Sequence, residues 1–291
     1  MFKRALICTD FKDGLYRFAR FVPSLAASGL EQITFLHTIP VPEGQIPRET
    51  DKPFVEARER FAKLLGDVPA GVDVQVEMAW GKPVEHILSS RKKYQSDIIF
   101  IGTAGDGLLK EKLFGSTPVS LCQQVNVALL ILRPQLISAY TEEELDLRAR
   151  HLFRYLLLPY DGSEAGQAML RQVKRLAADR PPGTLEKALL FTSIEDVGRS
   201  SVLLDAKREE AAKNLEAAKR ELEALGVKTD TVLAHGNAVT QALETAIDID
   251  ITAIATSSKT IGRLVELSVP SFTGDLLRRS WHPILFFPPS Q

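Results

Sequence analysis

Only two cysteines occur, Cys8 and Cys122, and they form no CxxC pair. A disulfide framework and a cysteine zinc site are thereby excluded, and a reducing compartment fits. The five histidines (His37, His86, His151, His235 and His282) show no metal-ligand spacing, so no metal site is expected. Net charge is scarce too. The 36 basic and 37 acidic residues leave −1, and no overall field draws the chain to nucleic acid or to an anionic membrane. No apolar run approaches the length of a membrane span. The first run, Ala5 to Thr9, ends in Asp10 and is too short for a signal peptide, so the cytoplasm is the expected location. A Walker lysine pattern is missing, as is a paired acid–base constellation, and no catalytic residue is assigned.

What is present is a chain of 291 residues with 45% hydrophobic and 25% charged content, the make-up of two globular domains. The chain repeats itself. Leu6–Asp10 returns as Leu157–Asp161, Trp80–Leu88 as His235–Leu243, and Asp97–Thr103 as Asp250–Thr256. The offsets are 151, 155 and 153, and three weak matches in the same order argue for a duplicated domain.

In the first half, short apolar runs at 5–9, 33–39, 72–78, 98–101 and 127–132 read as strands. Between them lie helical patterns. Leu15, Phe18, Ala19, Val22 and Leu25 share one face of a helix that Pro23 should bend, and Phe54, Ala57, Phe61, Leu64 and Leu65 share another. Pro83 suits the first turn of a third. Alternation of strands with crossovers implies a parallel sheet covered on both faces. Thr141–Glu144 reads as a capping box opening a connector helix to about Arg150. The second half repeats the order, closing on Pro283–Phe287, and its long Leu204–Leu225 stripe reads as core-facing.

The stretch around which the rest is organised is Ile101–Thr117. Gly102 and Gly105 let the chain turn off a buried strand, and Gly115-Ser116-Thr117 opens a further helix. Free N–H groups at a helix start suit phosphate, with Ser116 or Thr117 as caps. Plainer readings stand beside this one. Asp10 can simply cap the first helix, Lys110 and Lys112 fit a solvated face, and both cysteines fit buried small hydrophobes.

The pattern Gly102-x2-Gly105-x9-Gly115-Ser116, with Thr9-Asp10-Phe11 after the first strand and His37-Thr38 after the second, resembles the universal stress protein family. The resemblance covers nearly the whole chain, as two tandem copies. It implies an α/β fold of two tandem five-stranded parallel-sheet domains with helices on both faces, adenine nucleotide alpha hydrolase-like and Rossmann-like. The domains would span 1–138 and 152–291. It further implies an adenine-nucleotide ligand, ATP or AMP, with Mg2+ accompanying ATP. Thr9, Asp10 and Thr38 would lie near the adenosine. Gly102 and Gly105 would lie by the ribose and α-phosphate, and Gly115, Ser116 and Thr117 by the outer phosphates. The last strands of the two halves would pair with each other, and a homodimer is a further expectation.

The second half keeps Pro159-x-Asp161-Gly162-Ser163 but loses the glycines. Ala255 and Ser258 stand for Gly102 and Gly105, with Pro270-Ser271 for Gly115-Ser116 and a slightly longer loop between. Cβ atoms obstruct close backbone approach, and proline donates no N–H. This half is expected to bind nucleotide weakly or not at all. The expected function is a stress-response protein that uses a bound nucleotide as a regulatory ligand. The alternatives are a slow ATPase or self-phosphorylating enzyme and a ligand-free interaction scaffold.

Overall fold

The apolar run Arg4–Thr9 forms β1, the middle strand of the first half, and its side chains beyond Arg4 are buried on both faces. The computed structural model describes residues 1–12, 14–41, 44, 46–103, 116–195, 201–257 and 271–288. The chain divides into two compact units, Phe2–Arg150 and His151–Gln291.

In the first unit, β2 (Gln32–Ile39), β3 (Asp73–Trp80), β4 (Ile98–Gly102) and β5 (Ala128–Leu132) join β1 in the order β3-β2-β1-β4-β5, every neighbour parallel. β1, β2, β4 and β5 are apolar almost throughout because crossover helices cover both sides. β3 lies at an edge and is half exposed. The crossovers are α2 (Lys52–Leu64), α3 (Pro83–Lys93) and α4 (Ser116–Gln124).

The first crossover departs from the expected bent helix. Residues Leu15–Phe21 form a 3-10 helix, and α1 (Val22–Ala27) follows with Pro23 in its first turn. Leu15, Phe18, Val22 and Leu25 are spaced mostly by three, and a 3-10 helix superimposes residues i and i+3. Pro23 cannot sit inside a continuous α-helix, where its ring would strike the carbonyl of residue 19.

Two short helices close the unit, α5 (Pro134–Ala139) and α6 (Glu142–Arg150). The capping box is as expected. Thr141 N donates to Glu144 Oε2 at 2.9 Å, and Glu144 N donates to Thr141 Oγ1 at 3.3 Å. The connector helix α6 belongs to the first unit. It lies on the first crossover, joined to it by Arg20–Glu142 and Ser24–Asp146 contacts.

The second unit repeats the plan. Its strands β6 (Tyr155–Pro159), β7 (Lys187–Ile194), β8 (Lys228–His235), β9 (Ala253–Ser257) and β10 (Ile284–Phe287) run parallel in the order β8-β7-β6-β9-β10. Its helices are α7 (Glu164–Ala178), α8 (Ser201–Glu223), α9 (Ala238–Asp248) and α10 (Phe272–Arg279). The α8 stripe faces the core as expected: Leu215, Ala218 and Leu222 are buried, and Leu204, Ala211 and Leu225 are half-buried.

Strand register corrects one sequence alignment. Ala5 is opposite Ile98 in the first unit, and Leu156 is opposite Ala253 in the second. Leu6 matches Leu157, so Ile98 matches Ala253, an offset of 155 rather than 153. The brace between these strands agrees. Arg4 N donates to Asp97 Oδ1 at 3.0 Å, and Tyr155 N donates to Thr252 Oγ1 at 3.0 Å. Gly102 therefore corresponds to Ser257, and Ala255 is a core residue of β9. Gly105 then matches Thr260 by count, and the two loops are equal in length rather than one longer; Ser258, Thr260 and Pro270 lie outside the described residues. An apolar run with no side-chain alternation offers no mark of register, which is why the slip of two escaped the sequence.

Candidate functional site

Thr9 ends β1 buried, and Asp10 follows it exposed. The Asp10 carboxylate accepts Lys12 N at 2.8 Å, and Thr9 Oγ1 accepts Phe11 N at 3.1 Å. This turn forces Phe11 into the left-handed region, φ 65°. For a bulky residue that costs about 1–2 kcal/mol. The ring repays it by tilted aromatic packing, with its centroid 4.2 Å from that of His37 and 5.0 Å from that of Phe61. The Arg60 guanidinium lies 4.3 Å from the centre of the Phe11 ring and 4.4 Å from that of Tyr16.

His37 is the register partner of Thr9, and its Nδ1–H donates to the Thr9 carbonyl at 2.9 Å. Burial pushes its pKa below the ordinary imidazole value, aided by Arg60 and opposed by the Thr9 carbonyl and Asp10. The ring is therefore neutral at pH 7, with Nε2 an acceptor. Thr38, next along β2, is buried.

Gly102 ends β4. Ile7 is paired with Phe100, and Thr9 and Gly102 lie two residues beyond that pair on neighbouring strands. Thr9, Thr38 and Gly102 thus share the carboxyl edge of three adjacent strands, where ligands of open parallel sheets lie. Thr103 N donates to the Leu132 carbonyl at 3.0 Å, and its buried Oγ1 has no partner among the described residues. A buried hydroxyl without a partner calls for an explanation. α4 begins at Ser116, with Thr117 half-buried in its first turn. Gly105, Gly115, Lys110 and Lys112 lie outside the described residues, as does the Ser116 side chain. In α4, burial pushes the Cys122 thiol up to about 12, so it is inert as a nucleophile.

The second unit holds a cavity of about 350 Å3 at the carboxyl ends of β6, β7 and β9. Its lining includes Tyr160, Asp161, Ser193, Ser257, Ser271 and Phe272. By register and count these are the counterparts of Thr9, Asp10, Thr38, Gly102, Ser116 and Thr117. Local geometry agrees at two points. Asp161 Oδ1 accepts Ser163 N at 3.0 Å, as Asp10 does from Lys12. Thr192 Oγ1 donates to the Tyr160 carbonyl, as His37 does to that of Thr9.

The model of the universal stress protein family matches residues 1–133 and again 153–288. The chain belongs to the universal stress protein family. Solved structures share its fold. A universal stress protein from Archaeoglobus fulgidus is 18% identical with a TM-score of 0.65, covering 97% of this chain and 95% of its own. A functionally unknown protein from Pseudomonas aeruginosa PAO1 is 13% identical with a TM-score of 0.62, covering 99% and 93%. A putative universal stress protein from Pseudomonas aeruginosa UCBPP-PA14 is 12% identical with a TM-score of 0.58, covering 98% and 93%. At these identities the likeness concerns the fold. No curated protein matches the sequence.

Three features of the first site were not foreseen in the sequence. Arg60 reaches Phe11 and Tyr16 from α2, although nothing in its spacing sets it apart from Arg58. The left-handed Phe11 was hidden because glycine, the usual marker of that conformation, is absent. Thr103 entered the sequence reading only as the last residue of a repeated stretch. No described helix is long and apolar enough to cross a membrane.

Proposed function

We propose that this universal stress protein holds an adenine nucleotide, ATP or AMP, in its first unit and uses it as a regulatory ligand. One observation supports the reading above the others. Six positions expected to touch the nucleotide have counterparts that all line a single cavity in the second unit. In the first unit the same positions carry glycine at 102 and hydroxyls at 116 and 117, groups suited to an anion. The buried Thr103 hydroxyl, one residue past Gly102 and without a partner among the described residues, fits a polar ligand group there. Asp10 suits a ribose hydroxyl as acceptor. The described residues bring no His, Cys, Asp and Glu together into a group able to hold a metal ion, so Mg2+ would arrive on the phosphates and be held largely by them and by water. A ligand regulates by binding one state more tightly than another. Pairing of the two halves through their last strands is part of the same proposal.

The test is calorimetry with ATP and AMP on the full chain, with Gly105→Val beside Thr260→Val. Loss of binding only with Gly105→Val supports the reading. Equal losses, or no binding by the unaltered chain, overturn it.

A further inference from the structure

The second unit keeps a cavity but has replaced the groups that would receive phosphate. At the places of Gly115, Ser116 and Thr117 stand Pro270, Ser271 and Phe272. The Ser271 hydroxyl is already occupied, accepting Gly274 N at 3.1 Å as the cap of α10. Where the first unit offers the Thr117 hydroxyl, the cavity has the Phe272 ring. The other helix starts around it are capped as well. Ser163 accepts Gly166 N at 3.2 Å on α7, and Asn237 accepts Thr240 N at 3.1 Å on α9. Phosphate thus meets helix ends whose donors are partly engaged.

Charge points the same way. Among the described residues of the lining there is no lysine, arginine or histidine, and the one charged group is Asp161. Glu221 is near enough to help raise the pKa of the Tyr160 phenol, behind burial and ahead of Asp161. Two cations of this region are engaged, Lys174 with Glu221 at 2.5 Å and Arg278 with Asp275. An anion entering this space meets a carboxylate with no cation among the described lining residues to offset it.

What the cavity offers instead is a carboxylate acceptor, several hydroxyls and apolar walls. Asp161 Oδ1 holds Ser163 N, and its Oδ2 has no partner among the described residues. A carboxylate oxygen accepts two hydrogen bonds, which matches the adjacent hydroxyls of a vicinal diol. Met169 and Phe272 supply apolar surface suited to a flat heterocycle. A volume of about 350 Å3 is at the small end of the range for small-molecule pockets.

We infer that the second unit binds an uncharged ligand of the nucleoside class, held by its vicinal diol on Asp161, and rejects the phosphorylated form. The duplicated domain has then changed ligand charge rather than lost its site. This inference is independent of nucleotide binding by the first unit.

The experiment is calorimetry on the full chain with adenosine, 2′,3′-dideoxyadenosine, ribose, AMP and ATP, in the unaltered protein and in Gly105→Val. Adenosine should bind in both, at least tenfold more tightly than AMP in Gly105→Val, and ATP should not displace it from Gly105→Val. Dideoxyadenosine should bind at least tenfold more weakly than adenosine. Asp161→Asn keeps an acceptor for Ser163 N and should weaken adenosine about tenfold without moving the melting temperature. Ala165→Leu should abolish binding by filling the cavity. AMP binding as tightly as adenosine in Gly105→Val would overturn the inference, as would indifference to Asp161→Asn. Ribose binding as tightly as adenosine would overturn the nucleoside assignment. Failure of ATP to bind anywhere would sink the first unit's reading and leave this one standing.

Discussion

The residue after the first-strand aspartate is left-handed in both units, at φ 65° for Phe11 and φ 76° for Gly162. Glycine takes that conformation freely, whereas phenylalanine must be held in it. The same Asx turn thus carries a packed aromatic cluster in one unit and a bare backbone in the other. On one side lie Phe11, His37, Phe61 and Tyr16 with the Arg60 cation. On the other lie Asp161, serines and threonines, without a cation among the described lining residues. Duplication preserved the scaffold hydrogen bonds and let the surfaces at the strand ends diverge.

The largest effect should come from removing the aromatic hold. Phe11→Ala should cost about 2–3 kcal/mol in denaturant unfolding of the first unit, since it loses the aromatic packing and keeps most of the strain. Phe11→Gly should cost about 1 kcal/mol less than Phe11→Ala, an inversion of the usual ranking, because glycine relieves the left-handed strain. If Phe11→Gly is the worse of the two, the strain assigned to Phe11 is absent. The reciprocal change, Gly162→Ala, should destabilise the second unit by about 1–2 kcal/mol. A Cβ there would stand 2.9 Å from the Asn214 amide nitrogen at positive φ.

A smaller contrast lies at the third crossover of each unit. Asn237 caps α9 through Thr240 N, while its counterpart Lys82 gives α3 no side-chain cap. Asn237→Ala should lower stability by about 1 kcal/mol, and Lys82→Asn should raise it by a few tenths to 1 kcal/mol. Thermal melts of both variants decide this, and a null result for Lys82→Asn would mean that water already satisfies that helix end.

The smallest effect is pH-dependent. The His37 pKa is lowered in the folded state, chiefly by burial. A depressed base contributes stability above its unfolded value, near 6.5, and that contribution fades as pH falls through the folded value. The first unit should therefore lose stability as pH falls from near 6.5 toward that lowered folded value. His37→Thr, which copies Thr192 of the second unit, should flatten that part of the profile in melts across pH 4.5–8, a range set about the reference value near 6.5. An unchanged slope would show that His37 is not the titrating group.

Much of this was legible in the residues. Apolar runs between helical patterns gave five parallel strands twice over, because burial on both faces demands such runs. The capping box at Thr141 was readable because its two hydrogen bonds join residues three apart. Other features were not local. Spacing by three around Pro23 was read as an α-helical face when it marked a 3-10 helix. The offset of 155 for β9 emerged only from strand pairing, since Ile98–Ile101 and Ala253–Thr256 look alike under any shift.

The sequence by itself determined the duplication, the parallel α/β plan and the loss of glycine from one of two equivalent loops. Those follow from composition and periodicity, which act over a few residues at a time. Tertiary structure alone decided which residue answers to which across the copies. It alone set Arg60 against Phe11 and Tyr16, and it alone gathered the ends of three strands and the starts of three helices around the second unit's cavity. Such juxtapositions join residues tens of positions apart, and only the closing of the sheet brings them within reach of one ligand.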